Sequence, residues 1–240
     1  MGLTMENRRV RTADLDDREW ERVWAFASRY LDSDRSAFEK SVRSKRHLCQ
    51  ALEGGQVVGI AAIDAAPVAH RGRTLVRIFT ANTLIAESHR GRNLIQRWAL
   101  GEWIRVRLRH PRAPIYWMFD TFSYRSYLLL CRNFATYWPR RDEPTPPAVL
   151  EVMDQLARPL YGPDWDAASG VVRARGKRLK AFVSPIDDRA RGNPDVRYFE
   201  ERNPRHAEGE MLLCLAPLDA RNCARIAVRT LRRLLTPRAR

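Results

Sequence analysis

Lysine is almost missing from this basic chain. Its 240 residues hold four lysines (Lys40, Lys45, Lys177 and Lys180) against 39 arginines, and the formal net charge is +15. Such a charge favours anionic partners without choosing among nucleic acid, an anionic membrane surface, an acidic carrier protein and a phosphate-bearing substrate. The arginine excess fits the codon bias of a GC-rich genome as well as it fits guanidinium chemistry. Cysteine is sparse too. Cys49, Cys131, Cys214 and Cys223 stand far apart without CxxC spacing, and the five histidines form no HxxxH pair. Metal-finger and redox-motif readings therefore have little support, no metal is assigned, and Cys214, in an apolar run, is expected in the core. No apolar run reaches the ~18–20 residues of a membrane span. Residues 1–6 lack the apolar centre of a signal peptide, which leads to the expectation of a cytoplasmic protein, at most peripheral to a membrane. No Ser-His-Asp order stands out, so nucleophilic hydrolysis has no positive support.

What is present is enough for a core: 45% hydrophobic residues, 9% of the chain aromatic, a composition that argues against global disorder. The pattern predicts a strand near 9–12 and a helix over 16–31 behind Asp14, Asp16, Asp17 and Glu19, then a second helix over 36–46. Apolar runs at 48–52 and 57–63 flank Gly54-Gly55, a hairpin signal. A loop over 67–72 and a long central strand over 74–86 come next. A turn at 87–91 leads to a helix over 92–110, with Leu94, Ile95, Trp98, Ala99, Trp103 and Val106 on one face. A strand at 115–119 and a helix over 123–134 precede a proline-rich connection at 139–148. Beyond it lie a helix over 149–161, a basic strand over 171–182, a polar loop at 187–194, a strand at 211–215 and a basic amphipathic helix over 219–235. This order predicts an α/β fold with a mixed sheet. Residues 1–138 form its core, and 139–240 an extension that completes the sheet and ends in the basic helix.

The densest signal is the strand–turn–helix at 83–98. A glycine turn opening a helix presents unpaired backbone N–H groups and the positive end of the helix dipole, a setting for phosphate. Arg90 and Arg92 flank it and can add charge-assisted hydrogen bonds. The plainer alternative is a structural turn with exposed arginines.

This segment resembles the central motif of the GCN5-related N-acetyltransferase superfamily, a strand followed by an Arg-Gly-x-Gly-x-Gly/Ala turn and a helix. The resemblance implies a GNAT-like acyl-CoA N-acyltransferase fold. It places Arg90, Gly91, Arg92, Asn93, Leu94 and Ile95 at the pyrophosphate of coenzyme A, and Ile85 near the strand end that pairs with the pantetheine arm. Acyl-CoA is then a co-substrate, and no cofactor is permanently bound. Asn93 and Ile95 replace two small residues of the pattern. Asparagine accepts left-handed backbone better than most residues, whereas Ile95 has to point into the core. The family's tyrosine before a terminal Gly-Phe pair does not align here.

Acyl transfer to an amine requires loss of a proton from the amine, stabilisation of the carbonyl oxygen and a proton for the leaving thiolate. Glu87, closing the central strand, and Asp120, ending the next, are the candidate bases; their structural alternatives are a solvated turn carboxylate and a helix cap. Tyr124 and Tyr127 are candidate acids for the thiolate or else packed core rings. Asn82, polar within an apolar strand, faces a substrate groove or the solvated side. The last helix sets Arg221, Arg225, Arg229, Arg232 and Arg233 opposite an apolar stripe, which docks on the sheet or lies on an anionic bilayer.

Two functions follow. The first is transfer of an acyl group from acyl-CoA or acyl carrier protein to an amine acceptor. The second is a non-catalytic basic protein that binds nucleic acid or an acidic protein. Nucleic acid is disfavoured, because the basic residues are scattered and no aromatic platform accompanies them.

Overall fold

The computed structural model describes residues 4–174 and 176–235. In chain order these form β1 (Met5–Arg11), α1 (Asp17–Ala27), β2 (Leu31–Ser33), α2 (Arg35–Arg43), β3 (His47–Glu53), β4 (Gln56–His70), β5 (Arg73–Ile85), α3 (Leu94–Arg109), β6 (Ile115–Thr121) and α4 (Tyr124–Asn133). Then come α5 (Pro147–Tyr161), β7 (Trp165–Asp166), β8 (Val171–Val172), β9 (Lys177–Leu179), α6 (Asp188–Arg191), α7 (Pro194–Arg202), β10 (Met211–Pro217) and α8 (Ala220–Leu235). The fold is mixed α/β, as the element order implies. Eight strands make one sheet in the order β1-β3-β4-β5-β6-β10-β8-β7, and β2 pairs with β9 apart from it. Neighbours in the large sheet are antiparallel except β5 and β6. No helix among the described residues is long and apolar enough to cross a membrane.

Strand alternation sorts side chains to two covered faces. Leu48, Ile60, Ala62 and Leu84 pack on Trp20, Val23, Phe38 and Val42 of α1 and α2. Further along the same face, Leu75, Phe79 and Met118 meet Val152, Met153 and Leu156 of α5. The opposite face sets Ile63, Val76, Ile78 and Ile115 against Leu94, Trp98 and Val106 of α3. Beyond them Phe119, Leu212 and Cys214 lie against Tyr127 and Leu130 of α4 and Phe199 of α7. Cys214 is fully buried.

Local chemistry explains the boundaries. Asp16 accepts the Glu19 N–H at 2.7 Å while the Glu19 side chain reaches back, a capping box that starts α1. That helix ends at Ala27, short of the expected residue 31. Gly54 and Gly55, both at positive φ, close the β3–β4 turn.

Three expectations need correction. The segment 67–72 is not a loop: β4 runs to His70, paired with Arg73, and the turn is only Arg71-Gly72. β3 leaves β4 at His47↔Ile63, so Pro67 lies where the outer side of β4 has no strand partner and its missing N–H costs no ladder bond. The stretch 171–182 is not one strand, because Gly176 at φ +67° separates β8 in the large sheet from β9 in the small one. The segment 187–194 is not all loop: Asp187 accepts the Ala190 N–H at 2.7 Å and caps α6.

The extension is tied to the core through β10, which pairs with β6 from Leu212↔Thr121 to Pro217↔Tyr116. α8 begins against the end of α4. Asn222 is fully buried there. Its carbonyl accepts the Ala135 and Thr136 N–H groups at 2.8 and 3.0 Å, and its amide donates to the Thr136 and Pro217 carbonyls at 2.8 and 2.7 Å. Arg232, Arg233, Leu231, Leu234 and Leu235 lie outside the described side chains. Replacing Asn222 by alanine strands four partly buried backbone groups. Asn222→Ala is expected to lower unfolding free energy by about 2–4 kcal/mol, read by urea denaturation, since each orphaned buried group costs roughly 1–3 kcal/mol before relaxation and water entry.

Candidate active site

The site forms where two parallel strands stop pairing. β5 and β6 are in register from Val76↔Ile115 to Thr80↔Phe119 and no further, although β5 continues to Ile85 and β6 to Thr121. The Trp117 indole N–H donates to Thr80 Oγ1 at 3.0 Å and clamps the last rung. On its other edge β5 pairs with β4 as Ile60↔Leu84 and Ala62↔Ala81, so two residues of β5 bulge over one of β4. Asn82 stands in that bulge at φ +50°, a left-handed conformation that asparagine tolerates. The strands therefore diverge into a wedge, with residues 81–85 on one wall and 120–122 on the other. Past the bulge, Gly59 lies opposite Ile85. A Cβ at Gly59 would lie 2.7 Å from Ile85 Cδ1, so only glycine lets Ile85 sit this close to β4.

Polar side chains line the wedge on the face of α2 and α5. Asp120, the first β6 residue past the last rung, accepts a hydrogen bond from the Tyr161 hydroxyl at 2.9 Å. Lys177 Nζ donates to Asn82 Oδ1 at 2.8 Å, and Asn82 Nδ2 donates to Ser41 Oγ at 3.1 Å. Lys45 is buried; its ammonium donates to Ser44 Oγ at 2.7 Å and lies 5.1 Å from the centre of the Phe79 ring. Burial pushes the Lys45 pKa below its usual value, and the Asp120 charge opposes that shift. Asn82 is half-buried on the wall of the wedge. It ties β5 to α2 and β9.

At the other end of the wedge the chain turns through Glu87–His89, and α3 begins at Leu94. Gly91 has φ +83° and Asn93 φ +58°, the left-handed backbone expected of asparagine here. The first helical bond runs from Arg97 N to Asn93 O, and the Asn93 side chain does not cap. The Leu94, Ile95 and Gln96 N–H groups are left pointing along the dipole. No acid occupies the first turn of α3. Arg92 lies 3.3 Å from Glu53 Oε1, and His89 Nε2 lies 3.1 Å from Glu53 Oε2. Ile95 is half-buried rather than in the core, so the missing small residue is accommodated at the rim.

The remaining candidates fall elsewhere. Glu87 leaves 86% of its side chain exposed and pairs with Arg90 at 3.2 Å. It stands at the turn as a solvated carboxylate. Tyr127 is fully buried, donates to the Pro139 carbonyl at 3.0 Å, and burial pushes its pKa upward; this is the packed alternative, and it removes Tyr127 from proton transfer. Tyr124 is half-buried and lines a cavity of about 350 Å³ with Arg125, Leu128 and Arg132. Sequence reasoning missed Lys45, Tyr161, Lys177 and Glu53. The signal available for two of them is that lysine is so rare in this chain. Among the described residues no three His, Cys, Asp or Glu side chains converge as a metal site.

No protein-family model and no curated protein matches the chain. Solved structures do resemble it. A probable N-acyltransferase from Enterococcus faecalis V583 is 14% identical at a TM-score of 0.37, over 55% of this chain and 33% of that one. A GNAT-family N-acetyltransferase, YhbS from Escherichia coli, in complex with CoA, is 16% identical at 0.36, over 50% and 64%. An aminoglycoside acetyltransferase, HMB0005 from an uncultured soil metagenomic sample, is 14% identical at 0.37, over 60% and 100%. The match thus spans a third of the Enterococcus protein and under two thirds of YhbS. What this chain does has to come from its own residues.

The left-handed Asn93 gives a direct check on the turn. Asn93→Gly is expected to leave unfolding free energy nearly unchanged, while Asn93→Val lowers it by about 1–2 kcal/mol, the cost of placing a Cβ-branched residue at positive φ. Equal destabilisation by both variants, measured by thermal unfolding, counts against this backbone geometry.

Proposed function

We propose that this protein is an N-acyltransferase that moves an acyl group from acyl-CoA to an amine by direct attack on the thioester. The observation that carries the reading is the wedge between β5 and β6, with an uncapped helix N-terminus at one end and a hydrogen-bonded carboxylate on its wall. Anionic pyrophosphate suits the Leu94–Gln96 amides, with Arg90 and Arg92 exchanging their Glu87 and Glu53 partners for phosphate oxygens. The amide-bearing pantetheine arm suits the β5 edge up to Ile85, whose backbone past Thr80 has no β6 partner. Acyl carrier protein presents a comparable arm, and its acidity complements a net charge of +15.

In this reading the amine enters from the face of α2 and α5. Its nitrogen attacks the thioester carbon, its proton passes to Asp120, and backbone N–H groups of the parted strand stabilise the carbonyl oxygen. Tyr161 holds Asp120 in place through its hydroxyl. The tetrahedral species collapses with cleavage of the C–S bond. The thiolate takes its proton from solvent.

Calorimetric titration with coenzyme A, acetyl-CoA and a long-chain acyl-CoA tests the donor site. One-to-one binding in roughly the micromolar range is expected, lost in Arg90→Ala/Arg92→Ala, with the ranking of the three ligands setting acyl length. Absence of binding by all three overturns the reading and favours a non-catalytic binding protein. For the chemistry, Asp120→Asn is expected to lower kcat about 10²–10⁴-fold, the usual contribution of a general base, while donor affinity stays unchanged. An unchanged kcat removes Asp120 from proton transfer.

A further inference from the structure

Positive charge in excess of acidic partners gathers at the end of α3 remote from the Arg90 turn. Arg9 and Arg11 of β1, Arg46 and His47 where β3 begins, and Arg109 in the last turn of α3 line a groove of about 380 Å³. β1 and β3 bring these side chains together through the pairing Arg11↔His47 and Arg9↔Cys49. Arg9 is engaged, donating to Glu102 at 3.0 Å and lying 3.0 Å from His47 Nδ1. Arg11, Arg46 and Arg109 are exposed and make no side-chain hydrogen bond or ion pair among the described residues. Elsewhere in the chain many arginines have a carboxylate within reach, such as Arg35 with Glu39 and Arg191 with Glu200. Three bare guanidiniums around one groove form a site for an anion.

Arg109 belongs to the last turn of α3, and the outer face of that helix is apolar. Leu100, Ile104 and Leu108 follow one another at four-residue spacing along α3 and are 56%, 45% and 78% exposed. Half of the six large apolar side chains exposed among the described residues therefore share one helix face, which scattered surface leucines do not do. Arg97 and Arg105 are exposed on the same helix. Its single acid, Glu102, is buried beneath Arg9 and Arg105. The stripe is thus edged by cations alone. A second copy of this face would set arginine against arginine. A nucleic acid would leave two leucines and an isoleucine in water. A bilayer with anionic headgroups satisfies both features, since guanidiniums meet phosphates while the apolar tips pass below them.

We infer that the outer face of α3 and the adjoining arginine groove dock this protein on an anionic phospholipid surface. The groove takes a lipid phosphate, and Leu100, Ile104 and Leu108 enter the headgroup–acyl boundary. This face is separate from the terminal helix, whose first turns are anchored against α4 by Asn222.

Cosedimentation of the full chain tests it, with vesicles of phosphatidylglycerol and phosphatidylcholine beside vesicles of phosphatidylcholine alone. Binding is expected to the first only. Arg11→Gln/Arg46→Gln/Arg109→Gln is expected to weaken it about a hundredfold, at roughly fivefold per arginine near a charged surface. Leu100→Ser/Ile104→Ser/Leu108→Ser is expected to weaken it by about tenfold or more at physiological salt and to leave binding of glycerol phosphate unchanged. Thermal melts of both surface variants establish that they fold. Equal vesicle binding by the arginine variant overturns the proposal, as does glycerol phosphate binding without vesicle binding, or a preference for a single-stranded polynucleotide over the anionic vesicles. No acyl donor enters these assays, so their failure leaves the acyl-transfer reading untouched, and failure of that reading leaves this one.

Discussion

Parallel strands bonded side by side satisfy each other's backbone, and a pair that parts in mid-sheet leaves both strands with groups to satisfy. β5 and β6 part after Thr80 and Phe119, and much of the molecule is arranged around that break. β6 keeps a full ladder on its far edge from β10, which starts some ninety residues later in the chain. β5 keeps its ladder with β4 by bulging at Asn82. The exposed flanks of the wedge are then bridged by side chains, Lys177 to Asn82 to Ser41 on one wall and Tyr161 to Asp120 on the other. A buried polar network of this kind is stable only when its members satisfy one another. The wedge is consequently built from both ends of the chain.

That division explains what could be read from the sequence. The capping box at Asp16 and Glu19, the Gly54-Gly55 hairpin and the left-handed Asn93 are local, and local chemistry fixes them. So does the strand–turn–helix at 83–98. The far half of β4 was not legible, because Pro67 and the residues around it read as a loop until the loss of β3 as a neighbour is known. Lys45, Tyr161 and Lys177 were equally hidden. Their contacts with Phe79, Asp120 and Asn82 span from about 35 to nearly 100 residues of chain, and no periodicity carries such information. Asp120 is a candidate by its place at a strand end, a local feature of the sequence. Tyr127 was misplaced because a phenol on a helix reads the same whether its hydroxyl faces a ligand or the Pro139 carbonyl.

α3 shows a second way in which patterning misleads. Its expected apolar face included Ile95, Ala99 and Trp103, yet Glu102 is more deeply buried than any of these. Arg9 and Arg105 neutralise that carboxylate from β1 and from the same helix, and a buried charge is tolerable when paired in this way. With Glu102 turned inward, Leu100, Ile104 and Leu108 are turned outward. The weak amphipathicity of the helix is therefore the outcome of having two surfaces to serve.

α5 gives the wedge a mechanical property. Near its start Glu151 holds Arg71 at the tip of the β4–β5 hairpin, Gln155 bonds the Ala69 carbonyl, and the Leu156 carbonyl accepts from Arg77 at 3.2 Å. At its end Tyr161 holds Asp120. The ten-residue step from Glu151 to Tyr161 along the helix rises about 15 Å. Pro159 lies inside this stretch, where its missing N–H removes one helical hydrogen bond close to Tyr161. The solvent-facing hairpin tip and the carboxylate in the wedge are thus fastened to one helix, some three turns apart.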